Sequence, residues 1–200
     1  MTLSVCFDAL GTCFTMGPVI EALQQVMGDQ MPPSLARMVV MDWFHAAQRD
    51  YTYASITSPP PPPIAKILRA TLHRSIGFAM GSTPSLTEAS VGDLEPVLAK
   101  LKSLTPAPGL SEGWDLLAQN GDVLVITNGA KETTQGYIDQ AGLTKYVKRV
   151  QSCDEVGLAK PFGKVYEMAH AACDEVSGQG GERWFVASHM WDLHAARKAG

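Results

Sequence analysis

Leu3-Ser4-Val5-Cys6-Phe7 is a short apolar run that breaks at Asp8 and again at Gly11-Thr12, the pattern of a buried strand entering a turn. From Gly17 the spacing changes. Val19, Ile20, Leu23 and Val26-Met27 recur at helical intervals until Gly28-Asp29. A second helix is predicted over 34–53, with Leu35, Met38, Val39, Trp43 and Ala46 along one face. Pro59 to Pro63 forbid helix and favour polyproline II, a stiff connector. Helical spacing resumes with Ile64, Ile67, Leu68, Leu72 and Ile76 and stops near Gly81. A further helix is predicted over 85–102, acidic early at Asp93 and Glu95 and basic late at Lys100 and Lys102.

Beyond Gly109 the grammar alternates. Helices are predicted over 111–120, 131–141, 161–173 and 191–198, and strands over 123–126, 147–152 and 184–187. Strands that are apolar throughout, alternating with helices, imply an α/β fold: a parallel sheet with helices on both faces. Such sheets place ligands beyond the carboxyl ends of their strands, so the polar residues there are the ones to read chemically. No G-x-G-x-x-G and no G-x-x-x-x-G-K-[ST] occurs, which removes the main support for dinucleotide or P-loop binding.

Composition narrows the classes. With 20 acidic and 16 basic residues the net charge is −4, which argues against a nucleic-acid partner. A content of 46% hydrophobic and 18% charged residues is that of a packed protein rather than a disordered one. Cys6, Cys13, Cys153 and Cys173 show no C-x-x-C spacing, so no zinc site is indicated, and Cys6 and Cys13 are expected to pack as small hydrophobes. Neither a secretory signal nor an apolar stretch of membrane-spanning length is visible, so the expected setting is cytoplasmic, without a membrane partner.

Four polar clusters follow predicted strands or precede a helix: Asp8, Thr127-Asn128, Lys160 and Ser188-His189 with Asp192. Singly each has a bland reading, such as a helix cap, a turn or a surface lysine. Together they have roles. Asp8 can attack an electrophile and form a covalent ester or acyl phosphate. Thr127 and Asn128 offer donors to an anionic group. Lys160 offers a positive charge beside the carboxylate, and Asp192 can anchor Lys160, activate water or hold a metal ion.

This ordered set resembles the haloacid dehalogenase superfamily of aspartate-nucleophile hydrolases. Asp8-x-x-Gly11-Thr12, Thr127-Asn128, Lys160-Pro161 and Ser188-His189-Met190-Trp191-Asp192 look like its four motifs. The resemblance implies a Rossmann-like core from residues 1–16 and 98–200, with residues 17–97 inserted as a helical cap. It implies catalytic roles for Asp8, Lys160 and Asp192. It places Thr12, Thr127, Asn128, Tyr166, Ser188, His189 and His45 against the substrate, a small anionic molecule. It also admits a homodimer, and since that family continues past the last helix, an incomplete sheet edge is expected.

Within the superfamily the opening Phe7-Asp8-Ala9-Leu10-Gly11-Thr12 is similar to the 2-haloacid dehalogenase branch. Phosphatases carry a second aspartate where this chain has Leu10, and leucine delivers no proton, whereas halide leaves unprotonated. Two positions depart from that branch. His45 stands where its halide-receiving arginine aligns, and His189 replaces an asparagine. The alternative is a phosphatase on an organic phosphate or prenyl diphosphate, in which Asp8, the Leu10 carbonyl and Asp192 would hold Mg²⁺. Trp43, Phe44, Tyr51, Tyr53 and Phe78 would then offer an apolar surface, or else form ordinary cap core. A dehalogenase would need no cofactor. A third reading is a binding module without turnover.

Overall fold

The computed structural model describes residues 2–81 and 92–200. β1 (Leu3–Asp8) is followed by a two-residue strand, β2 (Phe14–Thr15), and by helices α1 (Gly17–Met27), α2 (Pro33–Thr57) and α3 (Ile64–Ala79). A short α4 (Glu95–Ala99) leads to β3 (Thr105–Pro106) and α5 (Leu110–Ala118). Then come β4 (Gly121–Thr127), α6 (Lys131–Gln140), β5 (Val147–Ser152), α7 (Gly163–Ser177), β6 (Glu182–Val186) and α8 (Met190–Ala199).

The main sheet has the order β5-β4-β1-β6, with every pairing parallel. Side-chain alternation divides its strands between two cores. Val5, Phe7, Val123 and Val125 face one side, where Trp114 of α5 and Tyr137 and Ile138 of α6 cover them. Cys6, Leu124 and Ile126 face the other, beneath Val165, Tyr166, Ala169 and Cys173 of α7. Continuous apolar runs in β1 and β4 are therefore what a sheet covered on both faces requires. β6 is an edge strand, and Trp184 and Val186 on it remain exposed.

Register aligns the carboxyl ends. Asp8 lies opposite Ile126, and Thr127 opposite Ser152, so the polar residues that follow these strands meet at one end of the sheet. Between Thr15 and Thr105 the chain leaves the sheet, and β2 and β3 pair antiparallel where it departs and returns. No periodic signal announces strands of two residues, one of them containing a proline.

The helix expected over 85–102 differs. Residues 82–91 lie outside the described residues, and among the rest only Glu95–Ala99 is α-helical before a 3₁₀ turn over Lys100–Lys102. The Asp93 carboxylate accepts the Glu95 N–H at 2.9 Å, and Pro96 suits a first helical turn, so the helix begins there. α2 and α3 pack through Trp43, Phe44, Leu68, Leu72 and Ile76, with the Trp43 indole donating to the Leu68 carbonyl at 3.0 Å. The aromatic surface expected for a prenyl group is thus not one surface. Trp43, Phe44 and Tyr51 are fully buried core, while Tyr53 and Phe78 point to solvent.

Candidate active site

Lys160 leaves the loop between β5 and α7 and enters the protein completely, with no exposed surface. Its Nζ lies 2.8 Å from Asp8 Oδ1 and 2.9 Å from Asp192 Oδ2. A buried ammonium is tolerable here because two carboxylates flank it. Burial alone would pull its pKa down, but Asp8 and Asp192 outweigh that and hold it above the ordinary lysine value. The backbone around it is held from both sides. The Lys160 N–H donates to Asn128 Oδ1 at 2.9 Å, Thr52 of α2 donates to the Lys160 carbonyl at 3.0 Å, and the Ala159 N–H donates to Ser55 of α2 at 2.9 Å.

The other Asp8 oxygen, Oδ2, accepts from Thr12 Oγ1 at 2.7 Å. Thr12 is fixed in turn by the Ser188 N–H, which donates to it at 3.0 Å. Ser188 Oγ lies 3.2 Å from Thr12 Oγ1 and 3.3 Å from His189 Nδ1. Asp8, Thr12, Ser188 and His189 therefore form a continuous polar row. His189 stacks on Trp191, with centroids 5.6 Å apart, and meets the edge of His45 at 5.2 Å. Burial, and then the neighbouring His189, lower the His45 pKa from its ordinary value. Gly11, at φ +82°, turns the chain here, and a Cβ on it would sit 3.4 Å from Phe44 and 3.5 Å from His189.

A cleft of about 410 Å³ opens between α2 and these loops, lined by His45, Gln48, Thr52, Tyr53, His189 and Trp191 among others. His45 and His189 both line it. Asn128 gives its carbonyl oxygen to Lys160, leaving its amide hydrogens as donors. Thr127 is fully buried. Its hydroxyl accepts from the Gly129 N–H at 2.9 Å and from Thr134 at 3.3 Å, which leaves its own proton as the group it can offer.

One expectation needs correction. Tyr166, expected to touch substrate, is buried in the α7 layer, where its phenol donates to Asp192 Oδ1. It positions a carboxylate instead. Asp192 itself is fully enclosed, with one oxygen held by Lys160 and the other by Tyr166. Of the roles open to Asp192, this arrangement matches the anchoring of Lys160. Burial foremost raises its pKa from the ordinary carboxylate value.

Of the Mg²⁺ set of Asp8, the Leu10 carbonyl and Asp192, Asp192 is fully enclosed with its oxygens turned to Lys160 and Tyr166, and the Lys160 ammonium stands between the two acids, an unfavourable arrangement for a cation shared by both. Among the described residues, no group of three or more His, Cys, Asp or Glu side chains is placed to hold a metal ion.

A family profile of haloacid dehalogenase-like hydrolases matches residues 5–200. The chain belongs to that family. It is 28% identical over 141 residues to (S)-2-haloacid dehalogenase 4A of Burkholderia cepacia, an alignment covering 66% of this chain and 60% of the relative. Against the (S)-2-haloacid dehalogenase of Pseudomonas sp. (strain YL) identity is 25% over 211 residues, with coverage of 98% and 78%. The L-2-haloacid dehalogenase of Xanthobacter autotrophicus superposes over 100% of this chain and 75% of its own, at 25% identity and a TM-score of 0.76. This membership accords with the α/β fold read from the strand–helix alternation. Among the described residues, no helix is long and apolar enough to cross a membrane.

Sequence reasoning missed Gln48 and Ser55. With Thr52 they stand at i, i+4 and i+7 of α2, a polar stripe beside the buried Phe44, Ala47 and Tyr51. That spacing was the signal available.

Proposed function

We propose that this hydrolase converts a 2-haloacid to a 2-hydroxyacid, with Asp8 as the covalent nucleophile. The carrying observation is the Lys160 ammonium bridging Asp8 and Asp192, beside a buried Leu10 where a proton-donating acid would otherwise stand. An Asp8 oxygen attacks C2 of the substrate. The carbon–halogen bond breaks, halide leaves with the electron pair, and an ester joins Asp8 to the substrate carbon. Halide departs without a proton, so no acid is required at position 10. Water then attacks the ester carbonyl carbon, the bond from that carbon to the substrate oxygen breaks, and the 2-hydroxyacid leaves as the Asp8 carboxylate returns.

Lys160 and Thr12, at 2.8 and 2.7 Å from the two Asp8 oxygens, stabilise the charge that develops there in the second step. His189, connected to Asp8 through Ser188 and Thr12, takes the proton of the attacking water. The substrate carboxylate is received by the Asn128 amide, the Thr127 hydroxyl and nearby N–H groups. The (S)-2-haloacid dehalogenases among the relatives support this substrate class, as does the Xanthobacter enzyme solved with chloropropionic acid covalently bound.

We assign residues 17–97 to a helical cap over a core of 1–16 and 98–200, with the cleft between α2 and the loop carrying His189 as the substrate's place. The four free cysteines suit a reducing, cytoplasmic setting. The decisive experiment is halide release from (S)-2-chloropropionate by the parent and by Asp8→Asn, each with and without EDTA. Release that survives EDTA and disappears in a folded Asp8→Asn variant is expected. Release by that variant at the parent's rate overturns the nucleophile, and phosphate-ester hydrolysis abolished by EDTA overturns the substrate class.

A further inference from the structure

Away from the cleft, β1 and α7 face each other through two thiols. Cys6 and Cys173 have their Sγ atoms 3.4 Å apart, and both are buried. Neither belongs to the Asp8–Lys160–Asp192 arrangement. Both line a cavity of about 350 Å³, whose walls include Tyr166, Arg183 and Phe185, so a small reagent has a path to sulfur. An ordinary disulfide has an S–S length of about 2.05 Å, so the sulfurs must approach by about 1.4 Å to bond.

The two thiols are electrically unequal. The Cys173 pKa is lowered from the ordinary thiol value, foremost by the hydrogen bond it shares with Cys6, with burial opposing the shift. Cys6 is pushed up by the same hydrogen bond and by burial. When one thiol loses its proton, the other, 3.4 Å away, can hydrogen-bond to the thiolate, the division needed between an attacking and a resolving cysteine. Cys13 and Cys153 contrast with them, because burial foremost raises both, Cys153 to about 12. Cys13 packs as the small hydrophobe expected from the sequence, whereas Cys6, expected to do the same, lies against a second sulfur.

We propose that Cys6 and Cys173 form a redox modification site, at which a hydroperoxide converts the two thiols into an intramolecular disulfide. The Cys173 thiolate attacks the peroxide oxygen. The O–O bond breaks, the departing oxygen takes up a proton as alcohol or water, and Cys173 becomes a sulfenic acid. The Cys6 sulfur then attacks the Cys173 sulfur, the S–O bond breaks, and hydroxide leaves with the Cys6 proton as water. Two thiols lose two electrons and one hydroperoxide gains them. The bridge ties the strand that ends in Asp8 to the helix that carries Tyr166.

The test treats the folded full chain with hydrogen peroxide, alkylates the remaining thiols in denaturant, and maps peptides without reduction. Alkylation of Cys13 and Cys153 alone is expected, with a Cys6–Cys173 cross-linked peptide two hydrogens lighter than its parts and lost on dithiothreitol treatment. In Cys6→Ser, which keeps a hydroxyl beside Cys173 but cannot form the bridge, dimedone is expected to label Cys173. Four alkylated cysteines, a different pairing, or sulfinic acid at Cys173 without a cross-link overturns the proposal, and an unlabelled Cys173 in folded Cys6→Ser overturns the assigned attacker. The parent's peptide map decides the bridge even where the variant fails to fold. These readouts are masses, so they stand apart from the fate of the dehalogenase reading.

Discussion

Replacing Lys160 by methionine keeps most of the side chain's length and removes its charge. In the folded protein that charge lies 2.8 Å from Asp8 and 2.9 Å from Asp192, with no side-chain exposure of its own. At an effective dielectric of about 20, unit charges about 3 Å apart attract by about 5–6 kcal/mol. Against the two attractions stands the withdrawal of three ions from water, a penalty of several kcal/mol per ion. Removing the central cation leaves two carboxylates facing each other without compensation, and the net loss expected is about 3–5 kcal/mol. That is a large part of a typical domain stability of about 5–15 kcal/mol. Urea denaturation followed by circular dichroism measures it. Adding Asp192→Asn to Lys160→Met removes one stranded charge while leaving an oxygen for Tyr166, and should recover about 1–3 kcal/mol. A cost below about 1 kcal/mol for Lys160→Met, or additivity of the two changes within about 0.5 kcal/mol, would show that the lysine is not held as a charge between two charges.

Two further outcomes follow from single side chains. Thr12→Val removes the donor to Asp8 Oδ2 and the acceptor of the Ser188 N–H while keeping shape, so kcat for halide release should fall about 10- to 100-fold with KM little changed; an unchanged kcat contradicts Thr12's role. Tyr137, buried with its phenol donating to the Leu101 carbonyl, has its pKa pushed by burial to about 12 from the ordinary 10. A folded-state value above the unfolded one gives stability that is complete below pH 10 and lost as pH rises through about 12, a loss of about 3 kcal/mol. Denaturation at a series of alkaline pH values should show this decline in the parent and a shallower one in Tyr137→Phe; equal slopes would remove Tyr137 as the cause.

The parallel sheet was legible because β1 and β4 carry apolar residues at successive positions, as strands covered on both faces must. The convergence of Asp8, Thr127, Lys160 and His189 was legible through their places after strands or before a helix. What stayed hidden was depth. Nothing in the spacing of Tyr166 and Asp192 distinguishes a residue that touches substrate from one placed behind it, because both readings put polar atoms near the same strand ends. Only packing of α7 over the sheet shows that the phenol reaches Asp192 and stops there. The β2–β3 pair was hidden for a different reason: two residues cannot display a period.

The two hydroxyls of α2 that hold the Lys160 loop have a dynamic consequence. Thr52 and Ser55 bond to backbone atoms, the Lys160 carbonyl and the Ala159 N–H, so a 25-residue helix and the charged centre share a boundary made of two hydrogen bonds. The Ala159 amide exchanges its hydrogen with solvent deuterium only when that boundary parts. Its exchange rate is therefore a clock for movement of α2 away from the lysine loop, readable before any substrate is known. Slowing of that one amide by a bound acid would identify a ligand that closes the cleft.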